Sequence, residues 1–277
     1  MRIRIAHETT FSYAPPARFI IQNLRLTPRS FDSQYVMRWR VNVDIDTGSR
    51  LSEDCFGNVV SCFSYQRPVE RFTVSAIGEV ETTDAVGVVR GAVETLPEAM
   101  FLRGTGLTQV NGNLREFVAG AIGAAADPLE RLHLIMGALH EEVKFDPETT
   151  PSKSSAAEAF ALKRGGAQDF AHAFIACARW LEIPARYVSG YVLPGEDETP
   201  HMFAWAEAIA PKLGWIAFDP VHDLCPNASY VRVAVGLDAT GAAPFRGSHS
   251  GGGDETVTAA LRVEQASNGS RWNSQCR

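Results

Sequence analysis

The hydrophobic pattern of the chain changes period near its middle, and that change divides it. From Met1 to about Thr83, apolar and polar residues alternate in short runs. They are Arg2-Ile-Arg-Ile-Ala-His, Asn23-Leu-Arg-Leu-Thr, Tyr35-Val-Met-Arg-Trp-Arg-Val-Asn-Val-Asp, Asn58-Val-Val-Ser-Cys-Phe-Ser-Tyr and Phe72-Thr-Val-Ser-Ala-Ile-Gly-Glu-Val-Glu. Alternation sends every second side chain to one face, as in a half-buried strand. Turn signals at Pro15-Pro16, Thr47-Gly48-Ser49 and Phe56-Gly57-Asn58 separate the runs. Short strands at regular spacing without helical stretches predict an antiparallel β-sandwich over residues 1–83.

Residues 84–112 carry Gly and Pro throughout and read as a connector, ordered because Leu96, Phe101 and Leu102 favour burial. A three-to-four spacing then takes over. Asn113 is the expected cap of a helix from Leu114, and Asp127-Pro128 opens another whose Leu129, Leu132, Ile135, Met136, Leu139 and Val143 share one face. Ser155 with Glu158 matches a capping box for a third helix. A fourth follows Gly165-Gly166 and stops at Glu182-Ile183-Pro184. Strands are expected from Ala185, Met202, Gly214, Tyr230 and Val257, with a Gly-rich loop from Gly247 to Gly253. Helices followed by antiparallel strands predict an α+β core over 113–264, and the small polar residues 265–277 read as a flexible tail.

Composition narrows the function. A formal charge of −6 and a pI near 5.7 argue against nucleic acid or an anionic membrane as partner. No run approaches the roughly 20 apolar residues of a membrane span, and the opening residues are expected to form a strand, with no apolar core of signal-peptide length. The five cysteines (Cys55, Cys62, Cys177, Cys225, Cys276) have no metal-like spacing and suit a reducing compartment. A cytoplasmic protein without metal or cofactor is the expectation, with oligomeric state left open.

The stretch Gly165-Gly-Ala-Gln-Asp-Phe-Ala-His is where chemistry is expected, because the first amides of a buried helix stabilise an anion. It resembles the bacterial transglutaminase-like proteins, a branch of the papain-like superfamily. So do Leu181-Glu-Ile-Pro-Ala-Arg-Tyr-Val-Ser-Gly-Tyr, Phe203-Ala-Trp-Ala-Glu-Ala, Leu213-Gly-Trp-Ile-Ala-Phe-Asp-Pro, Tyr230-Val-Arg-Val-Ala-Val-Gly-Leu-Asp and the opening His7-Glu-Thr-Thr-Phe-Ser-Tyr. The resemblance covers nearly the whole chain. It implies an N-terminal β-sandwich and a transglutaminase/papain-like core, with helices packed on an antiparallel sheet or barrel.

It also implies a Cys-His-Asp triad on three segments. The nucleophile position is Ala167, the base position Phe203, and the acid Asp219 is retained. Alanine cannot attack a carbonyl and phenylalanine cannot take a proton, so cysteine acyl transfer is not expected. Gln168, Asp169, His172, Tyr187, His201, Trp205 and His222 are the other cleft candidates. The favoured reading is a non-catalytic protein that binds a peptide, protein or small molecule in the vacated cleft. The alternatives are an enzyme of another class using acid–base residues there, or an active cysteine protease or transglutaminase-type acyltransferase carrying a nucleophile mutation.

Overall fold

The computed structural model describes residues 1–146, 154–195 and 199–266. Its first sheet is organised on β1 (Arg2–Thr27), a strand of 26 residues. β1 passes straight through Pro15-Pro16, which the sequence suggests as a turn. The prolines have no N–H to donate, and they sit where the register with β5 (Val69–Thr82) skips from Ser12 to Ala17. The two expected strands are therefore one bent strand. The sheet order is β2 (Gln34–Val43), β5, β1, β4 (Val59–Tyr65), β3 (Ser49–Glu53). β4 and β5 are not neighbours in it, yet Phe63 meets Phe72 edge-on at 5.8 Å between ring centroids. The sheet thus folds back on itself, and Phe11, Ile20, Leu24, Phe63 and Phe72 fill the space between its halves.

The connector is ordered where it meets the core. It supplies a short edge strand, β6 (Val88–Val89), and a 3-10 turn that buries Phe101 while Leu102 stays exposed. Asn111, rather than Asn113, caps α1 (Gly112–Ile122), its side chain accepting from Leu114 N at 3.0 Å. Asp127 caps α2 (Pro128–Glu142), and Ser155 with Glu158 forms the box that starts α3 (Ala156–Leu162). A two-residue parallel pair, β7 (Lys144–Phe145) with β8 (Arg164–Gly165), leads into α4 (Ala167–Trp180).

The second sheet has the order β12 (Tyr230–Gly236), β9 (Ala185–Val192), β10 (Met202–Ala210), β11 (Gly214–Phe218), β6. Tyr187 pairs with Ala206 in register and its ring meets His172 of α4, so the small residues Ala204, Ala206 and Ala208 face the helix. Alternation sends Phe203, Trp205 and Glu207 to the opposite face.

Two expectations for the C-terminal part are overturned. β14 (Asp254–Gln265), foreseen at Val257 as a strand of the core, pairs instead along β1 from Ile3 to Ala14. Most of the expected glycine loop is β13 (Phe245–Gly251), which lies against Ala17 to Leu24 of β1. Gly247 permits this contact, because a Cβ there would stand 2.1 Å from the Ile21 carbonyl. Gly247→Ala is expected to cost about 1–3 kcal/mol through overpacking. A urea midpoint equal to that of the parent chain would show that the strand can move aside.

Candidate active site

α4 starts at Gly166, whose N–H donates to Asp169 Oδ2 at 2.9 Å, while Ser154 Oγ donates to Oδ1 at 2.6 Å. Asp169 therefore fixes the entry into the helix. Ala167 is the first helical residue and is buried, and Gln168 beside it is half-buried. After Trp180 the chain turns tightly, with Ile183 N donating to Ala178 O, and enters β9 running back along the helix. The N-terminus of α4 consequently lies at the end of β9, where Gly190 pairs with Phe203. Ala167 and Phe203 sit at one end of the sheet and belong to one continuous apolar core.

Phe203 is buried among rings. Its centroid lies 5.3 Å from His222, 5.7 Å from His201 and 6.5 Å from Tyr230. Trp205 packs edge-on to Tyr230 at 5.4 Å and lies over Gly190, where a Cβ would stand 2.5 Å from the indole. His201 is exposed just before β10, its Nδ1–H donating to the Thr199 carbonyl at 3.1 Å.

Asp219 follows β11 and is fully buried. Its carboxylate is held from three sides. Val221 N–H donates to Oδ1 at 2.9 Å, and both His222 Nδ1–H and Tyr230 O–H donate to Oδ2 at 2.6 Å. Tyr230 is a site residue that the sequence did not single out, since an aromatic residue opening a strand is ordinarily core. The turn itself is clamped by paired backbone bonds between Asp219 and Leu224, at 2.9 and 3.2 Å.

His172, within α4, is fully buried, and its Nε2 accepts from Ala239 N–H at 3.0 Å. Its Nδ1 is buried and has no hydrogen-bond partner among the described residues. Burial pushes its pKa down to about 4 against weaker opposite pulls from Asp238 and Asp169. His7 of β1, 3.0 Å from the Tyr191 hydroxyl, is likewise pushed down to about 4 by burial. Both are neutral when folded, whereas the unfolded chain takes up their protons near pH 6.5. Their contribution is complete above pH 6.5 and is lost as the pH falls from there through about 4, on the order of 3 kcal/mol for each. His172→Gln, keeping an acceptor for Ala239, is expected to flatten part of this slope in denaturation series between pH 7 and 4. An unchanged slope would assign the acid sensitivity to other groups. Tyr187, against the same helix face, is raised by burial, then by Asp169 and Asp238.

Beneath Trp205 the two sheets meet over a charged core. Glu207 Oε2 accepts from Arg186 Nε at 2.6 Å and Oε1 from Arg232 Nε at 2.8 Å. Arg186 also reaches Glu94 of the connector through both terminal nitrogens, at 2.7 and 2.9 Å, and stacks 3.8 Å over the Trp215 ring. Burial alone would raise Glu207, but Arg232 and Arg186 hold it below the usual carboxylate range. A cavity of about 40 Å³ lies here, bordered by Gln34, Thr82, Trp205, Glu207, Tyr230 and Arg232. That is room for a few waters. It does not include Ala167, Phe203 or Asp219 among its walls.

Among the described residues no three His, Cys, Asp or Glu side chains are grouped to hold a metal, and no helix is long and apolar enough to cross a membrane. The described cysteines are free thiols.

A long curled sheet, a buried helix N-terminus facing an antiparallel sheet and an acid closing β11 define a class, and the comparisons agree. Residues 3–81 match the bacterial transglutaminase-like N-terminal region, and residues 115–220 match the transglutaminase-like superfamily. The chain is 32% identical over 276 residues to uncharacterized protein ML0607 of Mycobacterium leprae, covering 95% of this chain and 98% of that one. It is 24% identical over 274 residues to uncharacterized protein Rv2569c of Mycobacterium tuberculosis, covering 89% and 87%. A solved structure described as a candidate cysteine protease from Cytophaga hutchinsonii aligns with a TM-score of 0.78 at 21% identity, over 99% of this chain and 94% of that one. The chain belongs to the bacterial transglutaminase-like family.

Proposed function

We propose that this chain is a family member without the cysteine and histidine of the triad, and that it binds a ligand at the former active site rather than transferring acyl groups through a cysteine. The observation that carries the reading is Ala167 at the first turn of α4, a methyl group where the family's reaction needs a thiol. Phe203 supports it, since a phenyl ring packed among His201, His222 and Tyr230 offers no proton acceptor. A site with apolar surface and exposed imidazole edges suits a peptide, a protein segment or a small molecule. Free thiols favour a cytoplasmic setting.

The test is turnover. Full-length protein incubated with fluorescent casein, and with a glutamine donor plus a dansylated amine, is expected to release no peptide and to incorporate no amine. Reproducible turnover that disappears in Asp219→Asn would overturn the reading. The second reading, acid–base chemistry of another class, is favoured by one contact, the 2.6 Å bond between His222 and Asp219.

A further inference from the structure

We propose that Asp219 and His222 form a working acid–base pair, assembled on the turn after β11, which activates water against small activated esters. The inference goes beyond the binding reading and does not require it, because water rather than a side chain is the nucleophile.

The geometry that points to it is local and over-determined. A carboxylate only accepts, so the 2.6 Å contact puts the proton of neutral His222 on Nδ1 and its lone pair on Nε2. Asp219 is fully buried, whereas the His222 side chain is 34% exposed, so the imidazole bridges the buried acid and solvent. Tyr230 and the Val221 amide hold the carboxylate in place from its other sides. The Phe203 ring, inclined by 31° at 5.3 Å, lies along the imidazole and limits its rotation.

The backbone that presents His222 is held as firmly. His140 Nδ1–H of α2 donates to the Val221 carbonyl at 2.9 Å, and Cys225 Sγ lies 3.7 Å from His133 Nε2, about two turns earlier on the same helix. A base fixed by a buried acid, a fixed ring plane and a clamped turn is preorganised in the sense that lowers barriers to proton transfer.

In the reaction, a water oxygen forms a bond to the ester carbonyl carbon while its proton passes to His222 Nε2. The imidazolium that results is stabilised by Asp219. Collapse of the tetrahedral adduct breaks the bond to the leaving alcohol or phenol oxygen, which takes the proton back from Nε2. Carboxylic acid and alcohol are released and the neutral pair is regenerated, without any external oxidant, reductant or metal. His222 is the catalytic residue here, and Asp219 is a positioning residue.

The experiment follows p-nitrophenyl acetate hydrolysis by the full chain from pH 5 to 9. The wild-type rate is expected to exceed that of free imidazole at equal histidine concentration and to rise with pH as one group loses its proton. His222→Gln is expected to lower the rate at least ten-fold and remove that titration, with His249→Gln on the first sheet leaving both unchanged. Asp219→Asn should shift the titration as well as lower the rate; should it fail to fold, Tyr230→Phe substitutes for it, with a smaller shift in the same profile. A wild-type rate no greater than imidazole, or a His222→Gln variant as fast as wild type, overturns the proposal. Neither result bears on the turnover assays with casein and amine, so the two readings fail separately.

Discussion

Replacing Glu207 by alanine is expected to lower the melting temperature by roughly 10 °C. Two guanidinium groups converge on this carboxylate, and the Arg186 and Glu207 side chains are 1% and 0% exposed. Removing one member of such a cluster leaves a buried charge uncompensated, which costs about 3–5 kcal/mol. In a chain of this size each kcal/mol moves the midpoint by about 2–4 °C. Glu94 still pairs with Arg186 from the connector, but Arg232 depends on Glu207 for its contact across the sheet. Circular dichroism melts decide it. A shift below about 3 °C would show that water entering the neighbouring cavity replaces the lost carboxylate.

On the proposed reading of positions 167 and 203, introducing a thiol and an imidazole there gives the second large effect. Ala167→Cys alone is expected to give a thiol lowered only by the helix N-terminus and still mostly protonated at pH 6. Adding Phe203→His places an imidazole at the same end of the sheet, and an imidazolium there draws the thiol toward thiolate. The gain in thiolate, offset by the weaker nucleophilicity of a low-pKa sulfur, predicts alkylation by iodoacetamide at pH 6 about ten-fold faster than in the single variant. Equal rates would mean that positions 167 and 203 do not face each other closely enough for proton transfer. His222→Asn in the same background is expected to quicken it further, since Asp219 Oδ2 is already engaged by His222 and Tyr230.

Period and capping signals made much of the architecture legible. Strands β9 to β12, the caps at Asp127 and Ser155, and the glycine stop before Ala167 follow from local chemistry that acts within a few residues. What was hidden depends on distant pairing. Nothing near Val257 tells that its strand joins residues at the other end of the chain, because an alternating strand fits either sheet. Pro15-Pro16 carries a turn signature, and only the register skip between β1 and β5 lets a strand continue through it. The same holds at the site. The framing motifs mark Ala167, Phe203 and Asp219 as candidates, but the engagement of Asp219 by His222 and Tyr230 is set by how the turn after β11 meets β12.

The closure of β1 by β13 and β14 bears on how the chain is made. Ile3 pairs with Gln265 and Ala14 with Asp254, so one edge of β1 waits until residues 254–265, about 250 positions later, have left the ribosome. Until then that edge offers a long row of unsatisfied amides and carbonyls beside apolar side chains, the arrangement most prone to pairing with another nascent chain. Such distant contacts also slow folding, because a large loop must close before they form. Newly made protein is therefore expected to depend on shielding of the β1 edge during translation far more than the finished fold does.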